Sequence, residues 1–522
     1  MQNFTVPPFS LANLAEEQVS FPGGRKSIVC FVKEDCPTCR EIMPVLDAMG
    51  GALDASLDFH VIGQTAAGNA KLNEEFQPGF SILDDSTLKV SFATDIDTVP
   101  TLVLSDAEGN PEKSLIGFVR DEWQALSAEL GVEEAVQWAD FPEWRPGCGS
   151  LSVDPTIADK LRAEAENSPL RARRIEIATA DDEIEFMFDQ GFSDGLPLVP
   201  PTPERVMRML GGTQRDPQEV LAVMPPNMGE VTVEKVAINA VMAGCKPEYM
   251  PVINTVVQAI CTDEYNIHGV MATTMGASPV IVVNGPIREK IGMHMKLGAL
   301  GQGNRANATI GRAVRLLIRN LGGAKPGGTE RSTLGNPMKF TMCFAEWEER
   351  NPWTPLHVER GYDANDSVVT IFTMTSGPTL IVDQDSRTAS QLAGTMGQCL
   401  EVAFSPKSHY ATDCLLVIVP EHVDTLIRDG YTKADIRARI QEVTARPIRD
   451  LVADEISGTG FKAAMAANMS EEDLNRPLSK FRTEDDIHIV VAGAEAGKFS
   501  GAFHGWATGE IGSISVSRKI EE

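Results

Sequence analysis

The sequence predicts an α/β protein, with a small N-terminal α/β domain followed by a larger α/β domain that has room for two subdomains. Short apolar runs alternate with helical patterns along the chain. In the second half, residues 279–283, 414–419 and 487–492 are continuous apolar runs. Each leads into a turn containing Gly or Pro, as buried strands of an α/β sheet do. The chain has 522 residues and 43% hydrophobic content, which suits roughly two to four domains with sizeable cores.

Taken in order, residues 1–132 form the first domain. An apolar run at 27–32 precedes a helical pattern at 40–49, and residues 101–104 read as a strand. Residues 133–180 read as a connector, because Phe141-Pro-Glu-Trp-Arg-Pro-Gly-Cys148-Gly-Ser150 breaks regular structure before a charged helical stretch at 156–166. Residues 181–522 form the large domain. Its helices are read at 233–243, 252–260 and 307–321. The last keeps Ile310, Val314, Leu317, Ile318 and Leu321 on one face, with Arg312, Arg315 and Arg319 elsewhere.

The formal net charge is −27. That balance excludes nucleic acid as a partner, since such affinity comes from Lys and Arg neutralising phosphates. It also excludes anionic membrane surfaces. The amino-terminal residues have neither a cationic start nor an apolar core, and no apolar run reaches the ~18 residues that span a bilayer. The expected location is the cytoplasm. Nine cysteines, spread along a long chain, do not make a secreted disulfide framework, so reduced thiols and one redox pair are expected. The sequence leaves a homo-oligomer open.

The redox pair is Cys36-Pro-Thr-Cys39, set between a strand and a helix. Two cysteines at this spacing can close a small disulfide. The unpaired N–H groups at the helix start stabilise a Cys36 thiolate. Cys36, outermost on the turn, is the expected attacking thiol, and Cys39 resolves the mixed disulfide from within. A half zinc site is the usual competitor, but a second Cys-x-x-Cys is absent.

With Asp97-Thr98-Val99-Pro100, Pro44 in the following helix and Gly117-Phe-Val-Arg-Asp-Glu-Trp123, this region resembles the thioredoxin-like superfamily over about 130 residues. The resemblance implies a thiol–disulfide oxidoreductase fold in which Pro100 is a cis-proline packed against the pair. Asp35 stands where thioredoxins carry tryptophan, and Pro37-Thr38 replaces their Gly-Pro. Redox potential and partner choice are therefore not carried over.

The large domain contains Asp194-Gly-Leu-Pro-Leu-Val-Pro-Pro-Thr202, Met242-Ala-Gly-Cys245-Lys-Pro-Glu-Tyr249, Gly303-Asn-Arg-Ala-Asn-Ala-Thr-Ile-Gly-Arg312 and Pro355-Leu-His-Val-Glu-Arg360. These segments resemble a bacterial protein family of unassigned activity. Site candidates there rest on the residues themselves. Cys245, beside Lys246 and just before a helix start, is expected to be a reactive thiol of depressed pKa or else a buried core cysteine. Cys148, on the connector, either shuttles between Cys36 and another thiol or is incidental. Gly301, Gly303, Asn304 and Arg305 form either an anion site before a helix or a long turn needing positive φ. His357 and Glu359, read on one face of a strand, could join Glu346 in binding a divalent metal or in acid–base work. No cofactor is otherwise implied. The stretch 492–500 falls short of a phosphate-binding loop and reads as a strand–helix turn.

The leading expectation is a thiol-dependent oxidoreductase. Cys36 and Cys39 reduce a catalytic thiol of the large domain, Cys245 or Cys148. The large domain acts on a small anionic or thiol-bearing substrate with His357 as acid–base, and a thioredoxin or glutathione system recharges the pair. Fusion raises the local concentration of the reductant. The alternatives are a metal-assisted lyase or hydrolase with a protective redox module, and a redox-sensing binding protein without turnover.

Overall fold

The structure is a computed structural model that describes residues 4–175, 177, 182–509 and 511–521. The chain divides into two compact units, Met1–Glu176 and Ile177–Glu522.

The first unit is built on a five-stranded sheet with the order Ile82–Asp84, Leu57–Gly63, Lys26–Val32, Thr101–Ser105, Pro111–Ile116. The first three run parallel, joined by the helices Pro37–Ala52 and Ala66–Phe76, and the last two pairings are antiparallel. This is the thioredoxin-like arrangement. The central strand reads Lys-Ser-Ile-Val-Cys-Phe-Val and is buried from Ser27 onward, as an interior strand covered on both faces must be. Helix Pro37–Ala52 gives Ile42, Met43, Val45, Leu46 and Met49 to the core. Helix Arg120–Glu129 adds Trp123, whose buried indole donates a 3.1 Å hydrogen bond to the Gly117 carbonyl. Truncating a ring of this kind typically costs about 3–5 kcal/mol.

Residues 133–153 differ from the expected connector. Trp144–Arg145 pairs with Phe118–Val119, and Cys148–Gly149 pairs with Thr98–Val99. Gln64 donates to Ser150 Oγ at 2.7 Å, and Ser152 Oγ donates to the Ile96 carbonyl at 2.8 Å. Pro and Gly do interrupt regular structure here. The remaining backbone N–H and C=O groups nevertheless need partners, and they find them on short strand edges of the first unit. Helix Pro155–Ala165 follows. Residues 178–181, where the expected connector ends, lie outside the described residues.

The second unit contains a seven-stranded mixed sheet. Its path is Cys343–Ala345, Ser278–Asn284, Val368–Val382, Phe499–Ala507, Thr412–Ile418, Ile487–Val491, and Val516–Lys519 adds to Val368–Val382. Parallel pairs lie at the two ends of that path, and the pairings between them are antiparallel. The apolar runs are continuous because both faces are covered. Cys414, Leu416 and Ile418 point into one core with helices Ala389–Leu400, Pro420–Arg428 and Lys433–Thr444. Leu415 and Val417 point into another with Val280, Val282 and Phe372. Helix Arg305–Asn320 packs on Val233–Ala243 and Met250–Ile260. The turn at 492–500 joins strand to strand, not strand to helix, and Gly493 and Gly497 take positive φ there.

Candidate active site

Cys36 is the N-cap of helix Pro37–Ala52, and its sulfur accepts from the Cys39 backbone N–H at 3.4 Å. The Val99–Pro100 peptide is cis. The Val99 carbonyl oxygen lies 3.4 Å from the Cys36 sulfur. The two cysteines are electrostatically unlike. The Cys39 thiol, donating to Cys36, is the largest influence drawing Cys36 down to about 5. Burial opposes this, while the Cys148 thiol and the N–H groups of Cys39 and Thr38 assist. Cys39 moves well above its ordinary value, first through burial and then through the neighbouring Cys36. One thiol of lowered pKa thus stands beside one of raised pKa.

Contrary to the expectation from its turn position, Cys36 is not outermost: its exposure is 0%. The segment 145–149 lies on the redox turn. Thr38 Oγ1 donates to the Pro146 carbonyl at 2.6 Å, Lys33 Nζ donates to the Gly149 carbonyl at 3.0 Å, and Arg145 Nε meets Glu41 at 2.8 Å. Cys148 sits opposite Val99 in the antiparallel register, half-buried, and near enough to Cys36 for the two thiols to shift each other's titration. Burial, and then the neighbouring Cys36, push Cys148 up to about 11. It is therefore not a thiol on a free tether. Sequence reading linked Cys148 to Cys36 as one end of a shuttle, but the strand pairing that holds it there is remote in sequence and leaves no local pattern.

The candidates in the second unit are placed otherwise. Cys245 is buried, donates to the Thr309 carbonyl at 3.3 Å, and is pushed up to about 12 by burial. The expected depressed pKa does not arise, because desolvation outweighs the nearby Arg305 and Arg312. Arg305 spends Nε and Nη2 on the carbonyls of Gly244 and Cys245, at 2.8 and 3.3 Å, capping the end of helix Val233–Ala243. Asn304 caps its own helix by accepting from Asn307 N at 3.0 Å. Gly303 has φ +109°, and Gly301 N donates to the Gly298 carbonyl at 2.8 Å. The loop thus serves as the turn, with Arg305 Nε and Nη2, Asn304 Nδ2 and the Gly301 N–H committed to protein carbonyls.

His357 and Glu359 lie on the short helix Leu356–Glu359 rather than a strand. At about 100° per residue, positions two apart on a helix face away from each other. Glu359 turns to Lys433 and Arg437, at 2.6 and 3.2 Å. Glu346 is buried and accepts from Asn284, Asn351 and the Leu356 N–H at 2.7–2.9 Å. Burial raises its pKa. His357 is fully buried, with Nδ1 3.9 Å from Glu348 and Nε2 3.4 Å from the Ala364 carbonyl. The expected metal trio is therefore dispersed. Among the described residues no group of three or more His, Cys, Asp or Glu side chains could hold a metal ion. Sequence reading missed Arg288, which joins this region by contacts of 3.1 Å to Glu348 and 2.8 Å to Glu349 and donates to the Glu346 carbonyl at 2.7 Å.

No family model and no curated protein matches the chain. Among solved structures it is similar to StoA from Bacillus subtilis, with 26% identity over 22% of this chain and 96% of that one, at a TM-score of 0.21. A secreted Mycobacterium tuberculosis disulfide oxidoreductase, homologous to E. coli DsbE, matches at 18% identity over 24% and 94%, with a TM-score of 0.21. The thioredoxin domain of a thiol-disulfide oxidoreductase from Bacteroides vulgatus matches at 19% over 25% and 99%, with a TM-score of 0.22. Among the described residues no helix is long and apolar enough to cross a membrane.

Proposed function

We propose that the protein is a thiol–disulfide oxidoreductase whose attacking sulfur is Cys36 and whose resolving sulfur is Cys39. The observation that carries this reading is the opposed chemistry of the pair: Cys36 is drawn down to about 5 while Cys39 is driven up, one helical turn apart beside the cis Val99–Pro100 peptide. At neutral pH Cys36 is a thiolate ready to attack a disulfide sulfur. Cys39 keeps its proton until the mixed disulfide has formed, then displaces the substrate thiol.

The substrate is a disulfide or other thiol-bearing small molecule or peptide, and a thioredoxin or glutathione system returns the electrons. A reducing compartment, the cytoplasm, suits a chain whose Cys30, Cys343 and Cys414 are buried as core thiols. The relay to Cys245 is not retained, because that thiol is buried and fully protonated at neutral pH. Reduction of insulin disulfides by the full chain tests the reading. Cys36→Ser should abolish turnover, and undiminished turnover in that variant rejects the assignment.

A further inference from the structure

We propose that Cys148 is a third redox thiol, which forms a disulfide with Cys36 in competition with Cys39 and so locks the attacking sulfur beneath its own cover. The proposal rests on the thiol-exchange reading above and adds a second oxidised form to it.

Reach comes first. Cys148 is registered opposite Val99, and the Val99 carbonyl is itself 3.4 Å from Cys36 Sγ. Cys36 and Cys148 are near enough for each thiol to shift the other's titration. A disulfide needs about 2.05 Å between sulfurs, so both side chains must turn toward each other to close it.

The segment is also held in place from both sides of Cys148. Thr38 grips Pro146, Lys33 grips Gly149, and Arg145 pairs with Glu41. Gly147 is required for this approach: a Cβ there would stand 2.2 Å from Thr98 Cγ2 and 2.8 Å from the Val99 carbonyl oxygen. Only a residue without a side chain lets the backbone come close enough to present the next thiol to Cys36.

Topography supplies the third point. Cys36 has no exposed surface, whereas Cys148 is only partly buried. Any incoming disulfide must displace the segment that carries Cys148, so this segment occupies the approach to the attacking sulfur. It behaves as an internal stand-in for substrate, strand-paired and bearing its own thiol.

The exchange balances without an added oxidant. The Cys148 thiolate attacks Cys36 Sγ of the Cys36–Cys39 disulfide. The Cys36–Cys39 bond breaks as the Cys36–Cys148 bond forms, and Cys39 leaves as thiolate and recovers the proton that Cys148 gave up. One disulfide is consumed and one is made. The same attack on a Cys36 mixed disulfide expels the substrate thiol.

Glutathione disulfide, added to the reduced full chain, tests this by intact mass and non-reducing peptide mapping. In Cys39→Ser, the expected product is a Cys36–Cys148 disulfide with no glutathione retained. In Cys39→Ser/Cys148→Ser, glutathione should stay on Cys36. The proposal is overturned if Cys39→Ser keeps glutathione on Cys36 while Cys148 alkylates freely. The wild-type chain gives an independent readout that needs no substitution: graded oxidation should yield both Cys36–Cys39 and Cys36–Cys148 peptides, and absence of the second overturns the proposal. Formation of Cys36–Cys39 alone leaves the thiol-exchange reading standing. Failure of Cys36 to form any disulfide rejects both.

Discussion

Thr38 Oγ1 donates a 2.6 Å hydrogen bond to the Pro146 carbonyl, tying the first turn of the redox helix to the segment that covers it. Thr38 is the middle of the Cys-x-x-Cys turn and is itself buried. The covering segment is thus anchored to the very element whose chemistry it shields.

Thr38→Val removes that anchor while keeping the shape of the side chain. One hydrogen bond of this kind contributes about 0.5–1.5 kcal/mol, so the cover should open several-fold more often. The expected outcome is a several-fold faster alkylation of Cys36 by iodoacetamide at fixed pH. An unchanged rate would show that Lys33 and Arg145 hold the segment alone.

Gly147→Ala acts on the same segment by steric force. The added Cβ cannot coexist with Thr98 and Val99 as placed, so the pairing of Cys148–Gly149 with Thr98–Val99 should part. Overpacking of this sort costs about 1–3 kcal/mol. Cys148 should become freely alkylated in the native protein. Cys36 should titrate higher, having lost one donor to its thiolate.

The pH dependence has a defined sign. Cys36 titrates at about 5 in the folded chain, below the ordinary ~8.5 of an unfolded cysteine. The folded state therefore favours the thiolate. Its stabilising contribution is complete above the unfolded value and is lost as pH falls through about 5. Oxidation to the Cys36–Cys39 disulfide removes the titrating group. Reduced protein should accordingly lose stability relative to oxidised protein as pH falls from about 8.5 to about 5, as read by paired denaturant titrations.

Cys245→Ala separates a core cysteine from a relay thiol. The side chain is buried against the Thr309 carbonyl, so the variant should lose about 1–2 kcal/mol of stability while insulin reduction stays within twofold of wild type. Loss of turnover with intact folding, seen by circular dichroism, would restore Cys245 to the electron path.

Arg288 is the sole cation within salt-bridge distance of both Glu348 and Glu349 among the described residues, and its side chain is 4% exposed. Arg288→Met should destabilise the second unit by about 3–5 kcal/mol, because it strands a nearly buried carboxylate at Glu348. Urea denaturation checks this. Metal content should not respond, in contrast to what a metal site around Glu346 and His357 would show.

What was legible in the sequence was local. Cys36, Cys39 and Pro44 lie within one helix and its cap, and the apolar run of Thr412–Ile418 is continuous because both its faces are covered. Helix Val233–Ala243 was readable to the residue because Thr232 caps its start and Gly244 turns its end at φ +84°. What was not legible depended on distant segments meeting. Leu356–Glu359 holds too few residues to show a helical period, so His357 and Glu359 were assigned a common face they do not share. Cys245 sits at a helix junction, which suggested an activated thiol. The burial that raises its pKa comes from the helix Arg305–Asn320, packed against it from far along the chain. The position of Cys148 was hidden in the same way, by a pairing with Thr98–Val99 that no local pattern announces.

The long strand Val368–Val382 has one further consequence, and it concerns time. It borders Ser278–Asn284 on one side and takes Phe499–Ala507 and Val516–Lys519 as its other partners. During synthesis on the ribosome that strand emerges well before the two segments that complete its pairing, leaving an open, apolar edge. Such an edge invites wrong association while it waits. The second unit should therefore depend on chaperones until its last strands are released, whereas the first, whose pairings all close within its own residues, can fold while the rest is still being made.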